Sequence, residues 1–267
     1  MIKAQQISVS FGKTPILESV SFEAHAGEVT AIVGPNGSGK TTLLRAVTGD
    51  VDYGGVVSLQ GADIKSMAAW DLASRRAVLP QASTLAFPFT VIEVVRMGLQ
   101  RSRSSGFDPI ATAALMRVGL ESYANRHYQD LSGGEQQRVQ LARVLSQVWL
   151  PFEEGMPRWL FLDEPVSSLD IGHQLQVMRI MKDFAQAGGG VITVMHDLNL
   201  TAMYADRVLM MSGGELIASD TPKNVFTDET LSRAYNCRLK TNALPEHGVP
   251  FLLPQMAQEG AFQKQGN

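Results

Sequence analysis

Eight residues near the start of the chain constrain its fold more than any others: Gly34-Pro35-Asn36-Gly37-Ser38-Gly39-Lys40-Thr41. They fit G-x-x-x-x-G-K-[ST], the phosphate-binding P-loop. The pattern is meaningful only between a buried strand and a helix, and the sequence offers both. Val29-Thr30-Ala31-Ile32-Val33 ahead of it is a β-branched, apolar run of the kind that forms buried parallel strands. Thr41 to Val47 after it reads as a helix. The glycines allow a tight turn whose N–H groups point inward at phosphate oxygens. The following helix adds its positive dipole end. In that arrangement Lys40 meets the β- and γ-phosphates and the Thr41 hydroxyl reaches Mg²⁺. The chain is expected to bind a nucleoside triphosphate.

A length of 267 residues suits one large or two modest domains with a real core. Lys and Arg total 23 against 26 Asp and Glu, a net charge of −3, which argues against a nucleic-acid-coating protein. The single cysteine, Cys237, excludes an intramolecular disulfide and fits a reducing compartment. No run approaches the roughly 18 apolar residues of a membrane-spanning helix. Met1 to Gln6 lack the apolar core of a signal peptide. The expected location is the cytosol, or the cytosolic face of a membrane reached through a partner.

Ile7, Val9 and Phe11 alternate with polar neighbours, as do Val20, Phe22 and Ala24, and both runs read as half-buried strands. Phe11 is either a core aromatic at a strand end or a ring that stacks on a nucleotide base. Val56 to Leu59 reads as a strand, Met67 to Arg75 as a helix, and Ala77 to Leu79 as a short strand ending at Pro80-Gln81. The texture then changes. Thr90-Val91-Ile92-Glu93 is a capping box opening a helix through about Leu99. Arg101 to Gly106 is a polar loop in which Arg101 and Arg103 read first as solvated side chains and second as a docking patch. Asp108-Pro109 caps a second helix that ends at Gly119. Residues 82 to about 147 thus form a helical insert in an otherwise α/β chain. Beyond it come a helix opened at Leu131 to Arg138, a loop over Pro151 to Pro157 and the strand Trp159 to Leu162. The helix Ile171 to Ala187, the strand Val191 to Met195 and a turn at Ser212-Gly213-Gly214 follow. Alternating strands and helices on both sides of the insert predict a parallel α/β core. The tail from about Asn236, with Pro245, Pro250 and Pro254, reads as loosely ordered packing over it.

Asp163 after four apolar residues can hold Mg²⁺ through water at the end of a buried strand. Glu164 beside it lies at the strand end where open α/β sheets bind ligands, placed to polarise a water that attacks the γ-phosphate. His196 ends the next buried strand and can exchange hydrogen bonds with that water and phosphate. Ser132-Gly133-Gly134 before a helix is a second anion-binding N-terminus, one too many for a single nucleotide in a single fold.

The string Leu131-Ser132-Gly133-Gly134-Glu135-Gln136-Gln137-Arg138, set between a helical insert and Leu162-Asp163-Glu164-Pro165, resembles the signature motif of ABC-transporter ATPases. The resemblance runs from about Ile2 to Tyr235. The fold it implies is α/β: a P-loop NTPase with a RecA-like parallel-sheet core, an N-terminal antiparallel β subdomain and a helical insert subdomain. Residues 1–235 would be one ATPase domain, with 1–81 and 148–235 as catalytic core, 82–147 as the helical part, and 236–267 as an extension. The resemblance implies that Phe11 stacks on the base and that Gly34 to Thr41, with Thr42, hold ATP. Gln81 would contact Mg²⁺ and sense a membrane partner. Glu164 would be the catalytic carboxylate, His196 the switch histidine, and Ser167-Ser168-Leu169-Asp170 the loop completing the nucleotide site. Val166 departs from the family, where Thr is usual. A head-to-tail homodimer would sandwich two ATPs, with Ser132, Gly133 and Gly134 of one subunit on the nucleotide of the other.

Within that family, Gln81 followed by Phe87 to Val95 resembles the ATPases of importers for haem, iron–siderophore complexes and cobalamin. The long link Val148 to Arg158 before an aromatic-rich strand looks most like the haem-import subunits. The implied role is ATP hydrolysis for haem (hemin) uptake. The protein would be peripheral on the cytoplasmic face of the cell inner membrane, with two transmembrane permease subunits and a periplasmic binding protein as partners. A siderophore or cobalamin importer is the alternative, and a soluble non-transport ATPase a more distant one. The latter usually carry two cassettes or long heptad arms, and neither is present here.

Overall fold

The computed structural model describes residues 1–81, 85, 87–99, 109–244, 248 and 250–257. Three strands consist entirely of buried residues, and they form the centre of the molecule. In chain order, an antiparallel pair comes first, β1 (Ile2–Phe11) and β2 (Thr14–Ala24), followed by β3 (Val29–Val33) and α1 (Lys40–Thr48). Next are β4 (Gly54–Leu59), β5 (Ala62–Asp63), α2 (Ala69–Arg75) and β6 (Arg76–Leu79). The insert contributes α3 (Val91–Arg96), α4 (Pro109–Arg117) and α5 (Gly133–Gln147). A small hairpin, β7 (Phe152–Glu153) and β8 (Met156–Pro157), leads to β9 (Trp159–Asp163) and α6 (Ile171–Gln186). The remainder is β10 (Gly190–Val194), α7 (Leu198–Tyr204), β11 (Arg207–Ser212), β12 (Glu215–Asp220), α8 (Pro222–Val225) and α9 (Asp228–Tyr235).

The main sheet runs β12-β11-β3-β10-β9-β6, parallel except for the β11–β12 pair. A second sheet, β2-β1-β4-β5, is antiparallel. Alternation along each parallel strand sends side chains to opposite faces. Ile32, Phe161, Ile192 and Val194 join α1 and the antiparallel sheet in one core. Ala31, Val33, Leu160, Leu162 and Val191 join α5, α6 and the insert in the other. The chain leaves β3 toward β6 on one side and returns to β11 on the other. The sheet order therefore reverses at β3, which is where α/β sheets open a ligand crevice at their C-terminal edge.

Some sequence expectations change. Pro151 to Pro157 is a hairpin rather than a loop; Glu154 (φ 52°) and Gly155 (φ 78°) both adopt the left-handed turn that a two-residue connection requires. The helix opened by Thr90 has its capping box but ends at Arg96, short of Leu99. The helix expected from Met67 starts at Ala69, after a 3₁₀ turn over Ile64–Ser66. Phe11 does not continue the burial of Ile7 and Val9: it is 53% exposed. The loop with Arg101 and Arg103, the cap at Asp108 and Pro245 lie outside the described residues. The start of the extension is tied to α9, where Asp228 accepts hydrogen bonds from Thr241 N–H and Oγ1 and Ser232 pairs with the Leu239 backbone.

Candidate active site

The P-loop crosses from β3 to α1 at the point where the sheet order reverses. Gly34 (φ 148°) lies against the Met211 carbonyl, so close that no side chain fits there. A Cβ on Gly39 (φ 94°) would meet Leu17 Cδ2 at 2.7 Å. These two glycines seat the loop on β11 and β2 and turn it tightly over α1. Lys40 is 6% exposed, and its Nζ donates to the carbonyls of Gly34 and Pro35, both at 2.9 Å. Burial holds its pKa below the usual lysine value, partly offset by the attraction of Glu164 and Asp163. Ser38 Oγ is buried without a hydrogen-bond partner among the described residues. A buried ammonium and an unpaired hydroxyl at a helix N-terminus make a place for an anion.

Phe11, Asn36, Gly37, Gly39, Lys40, Thr41, Thr42 and Gln81 line an open cavity of about 720 Å³ together with Glu164 and His196. Ile16, on β2, lines it too; as an aliphatic residue in a half-exposed strand it carries no sequence signal of that role. Asp163 lies beside this cavity. With Thr41 and Gln81 it lines a neighbouring space of about 400 Å³, and Thr41 Oγ1 donates to Asp163 Oδ1 at 3.2 Å. Burial raises the Asp163 pKa above the usual carboxylate value; Glu164 pushes the same way, and the Thr41 hydrogen bond opposes.

Glu164 adopts φ 52°, a left-handed conformation costing a non-glycine residue about 1–2 kcal/mol. Its N–H donates to Val194 O at 3.2 Å, and its carbonyl accepts from Ser167 Oγ at 3.2 Å. This kink turns the carboxylate toward β10, where Glu164 Oε1 and His196 Nε2 are 2.5 Å apart. His196 is steadied from the chain side: Asp197 caps α7 by accepting the N–H groups of Asn199 and Leu200.

Ser132, Gly133, Gly134 and Asp170 do not line this cavity. Ser132 caps α5 in a capping box with Glu135, whose Oε2 accepts from Ser132 N–H at 2.8 Å and from its hydroxyl at 2.7 Å. The hydroxyl bond first, then the N–H bond, lowers the Glu135 pKa. Gly134 lets α5 approach the loop after β9, for a Cβ there would stand 3.0 Å from Ser168 O. Asp170 caps α6, with Oδ1 accepting His173 N–H at 2.9 Å and Oδ2 2.8 Å from His173 Nδ1. The backbone bond from His173 is the main cause of its lowered pKa. Gln137 was not singled out by the sequence. Its amide spans from α5 to the backbone of Glu164 and Ser168.

A parallel sheet with a P-loop at its switch point, a hydroxyl–carboxylate pair beneath it and a Glu–His pair across it define an ATP-binding cassette. The family model for ABC transporters matches residues 17–167. The chain therefore belongs to the ABC transporter family, as the ATP-binding component that hydrolyses ATP to power transport. It is 57% identical over 257 residues to the hemin import ATP-binding protein HmuV of Jannaschia sp. (strain CCS1), covering 96% of this chain and 95% of that one. Against the protein of the same name from Ruegeria sp. (strain TM1040) it is 58% identical over 256 residues, covering 96% and 98%. Among solved structures, a dimeric post-hydrolysis state of an ATP-binding cassette bound to ADP and Pi aligns with TM-score 0.71 and 24% identity, covering 83% of this chain and 99% of that one.

Proposed function

We propose that this subunit drives hemin import, and that it does so as a homodimer beneath two permease subunits supplied by a periplasmic binding protein. The observation that carries the catalytic part is the convergence, at the ends of β3, β9 and β10, of Lys40, the Thr41–Asp163 pair and the Glu164–His196 pair. The hemin assignment rests on the names of relatives more than half identical over nearly the full chain. No helix among the described residues is long and apolar enough to cross a membrane. A place on the cytoplasmic face of the inner membrane, held by the permease, accords with this.

In this reading residues 1–81 and 148–235 form the catalytic core, 82–147 the helical part that meets the permease, and 236–267 an extension. ATP lies with its base on exposed Phe11 and its phosphates in the loop Gly34 to Thr42. Lys40 turns from the carbonyls of Gly34 and Pro35 to the β- and γ-phosphates. Thr41, Gln81 and Asp163 would hold Mg²⁺, a hard cation that suits an all-oxygen set, and the Thr41–Asp163 contact puts two donors in place. Once bound, Mg²⁺ neutralises charge on the phosphate oxygens. Glu164 orients the attacking water and accepts its proton while the bond from Pγ to the ADP oxygen breaks, giving ADP and phosphate. His196 holds the Glu164 carboxylate. Ser132, Gly133 and Gly134 of the second subunit close over the γ-phosphate, with Asp170 beside them.

Reconstitution with the permease and binding protein in proteoliposomes tests the assignment. With hemin-loaded binding protein in the lumen and ATP outside, hemin should stimulate ATPase activity and appear outside the vesicles. Stimulation by a ferric siderophore or cobalamin, and not hemin, would move the chain to a sister importer.

A further inference from the structure

Gln137 lies five positions beyond the Ser132 cap, on the face of α5 that Gly134 brings against the loop after β9. Its side-chain amide uses both ends. Nε2 donates to Glu164 O at 2.8 Å, and Oε1 accepts from Ser168 N–H at 3.3 Å. The other groups on the Glu164 carbonyl are local: Ser167 Oγ at 3.2 Å and Ser167 N at 3.4 Å. Gln137 makes the shortest of the three contacts, and it comes from a different element. Glu164 sits in a left-handed conformation that nothing in its own residue type favours, so its direction depends on what grips its backbone. Only a side-chain amide offers a donor and an acceptor at this spacing without charge.

We infer that Gln137 is a positioning residue: it ties the signature helix to the peptide of Glu164 and so sets the aim of the carboxylate at the attacking water. The same helix carries Ser132 and Gly133 at its exposed N-terminus. Seating that end on the nucleotide of a second subunit is thereby communicated, through about one helical turn, to the carboxylate of the subunit that owns the helix. Each closed site would prime the other. The inference rests on Glu164 being the catalytic carboxylate, as proposed above.

The test is steady-state ATPase kinetics of the full-length chain at saturating Mg²⁺, for Gln137→Glu, Gln137→Ala and Glu164→Gln, with thermal unfolding of each. Gln137→Glu is nearly isosteric and keeps an acceptor for Ser168, but faces the Glu164 carbonyl with an acceptor where a donor was. Both Gln137 variants should lose about 10–100-fold in kcat, as a misplaced catalytic group does, with the KM for ATP within about twofold of the parent. Gln137→Glu should also unfold within a few degrees of the parent. A parental kcat in Gln137→Glu, or a loss confined to KM, overturns the positioning role. If Glu164→Gln keeps the parental rate, the catalytic assignment itself fails, whatever the Gln137 variants do.

Discussion

Substituting Gly34 and Gly37 by alanine separates two jobs that glycine performs in one loop. Both residues have positive φ, 148° and 77°. A Cβ at Gly37 meets nothing within 4 Å, whereas at Gly34 it drives into the Met211 carbonyl and stands 2.9 Å from Ser38 Oγ. The Met211 oxygen belongs to β11 and cannot rotate aside; either the strand or the loop must shift. Backbone strain of about 1–3 kcal/mol adds to an overpacking cost of about 1–3 kcal/mol. The lower conformational entropy of the unfolded alanine chain favours the folded state by about 0.4–1 kcal/mol and so offsets a little of the total. Gly34→Ala should therefore destabilise the protein by about 2–5 kcal/mol, and Gly37→Ala by about 1 kcal/mol. At about 2–4 °C per kcal/mol, the first should unfold about 5–15 °C below the parent and the second within about 4 °C of it. Differential scanning fluorimetry without nucleotide, at one heating rate, reads this directly. Equal losses in the two variants would refute the steric argument.

Three further outcomes follow from the site. Asp163→Asn should raise the melting temperature at neutral pH while abolishing ATP turnover. The folded-state pKa of Asp163 is raised by burial, so its contribution to stability is full below the unfolded carboxylate value and is lost as pH rises through the folded one; the gain over the parent should vanish in acid. Phe11→Ala should weaken ATP binding by about 1–3 kcal/mol, the worth of a stacked base, and leave stability unchanged because the ring is exposed; titration calorimetry checks both the affinity and its restoration in Phe11→Tyr. Ser132→Arg should abolish ATPase activity while a single subunit still binds ATP with parental affinity, because Ser132 lies outside the cavity that its own Lys40 lines; an active variant would remove the trans contact from the account.

The parallel strands and the loop between β3 and α1 were legible because their signals are local. β3, β9 and β10 are mostly apolar runs; the P-loop begins directly after β3, and Asp163 closes β9 with Glu164 next to it. The hairpin from Phe152 to Pro157 was not, since strands of two residues have no period to read and their turn forces Glu154, an unusual choice, into a left-handed conformation. Just beyond the shorter helix at Thr90, a Cβ at Gly98 would run into the Arg143 carbonyl of α5, a contact between segments far apart in the chain that sequence pattern does not show. Phe11 kept both readings open because the β1–β2 register shifts after Ile7 and again after Val9, so simple alternation stops predicting burial. Gln137 left no trace in the pattern of side chains, for both of its partners are backbone atoms of a distant loop.

In the proposed cycle two copies close around ATP, and Glu164 ends that state by hydrolysis. Size-exclusion chromatography with light scattering on Glu164→Gln, with ATP and Mg²⁺, tests it most directly. The variant should form a stable dimer retaining one ATP per subunit with no measurable turnover, reverting to monomer when ATP is removed. A variant that stays monomeric with ATP bound, or that hydrolyses ATP at the parental rate, would contradict it.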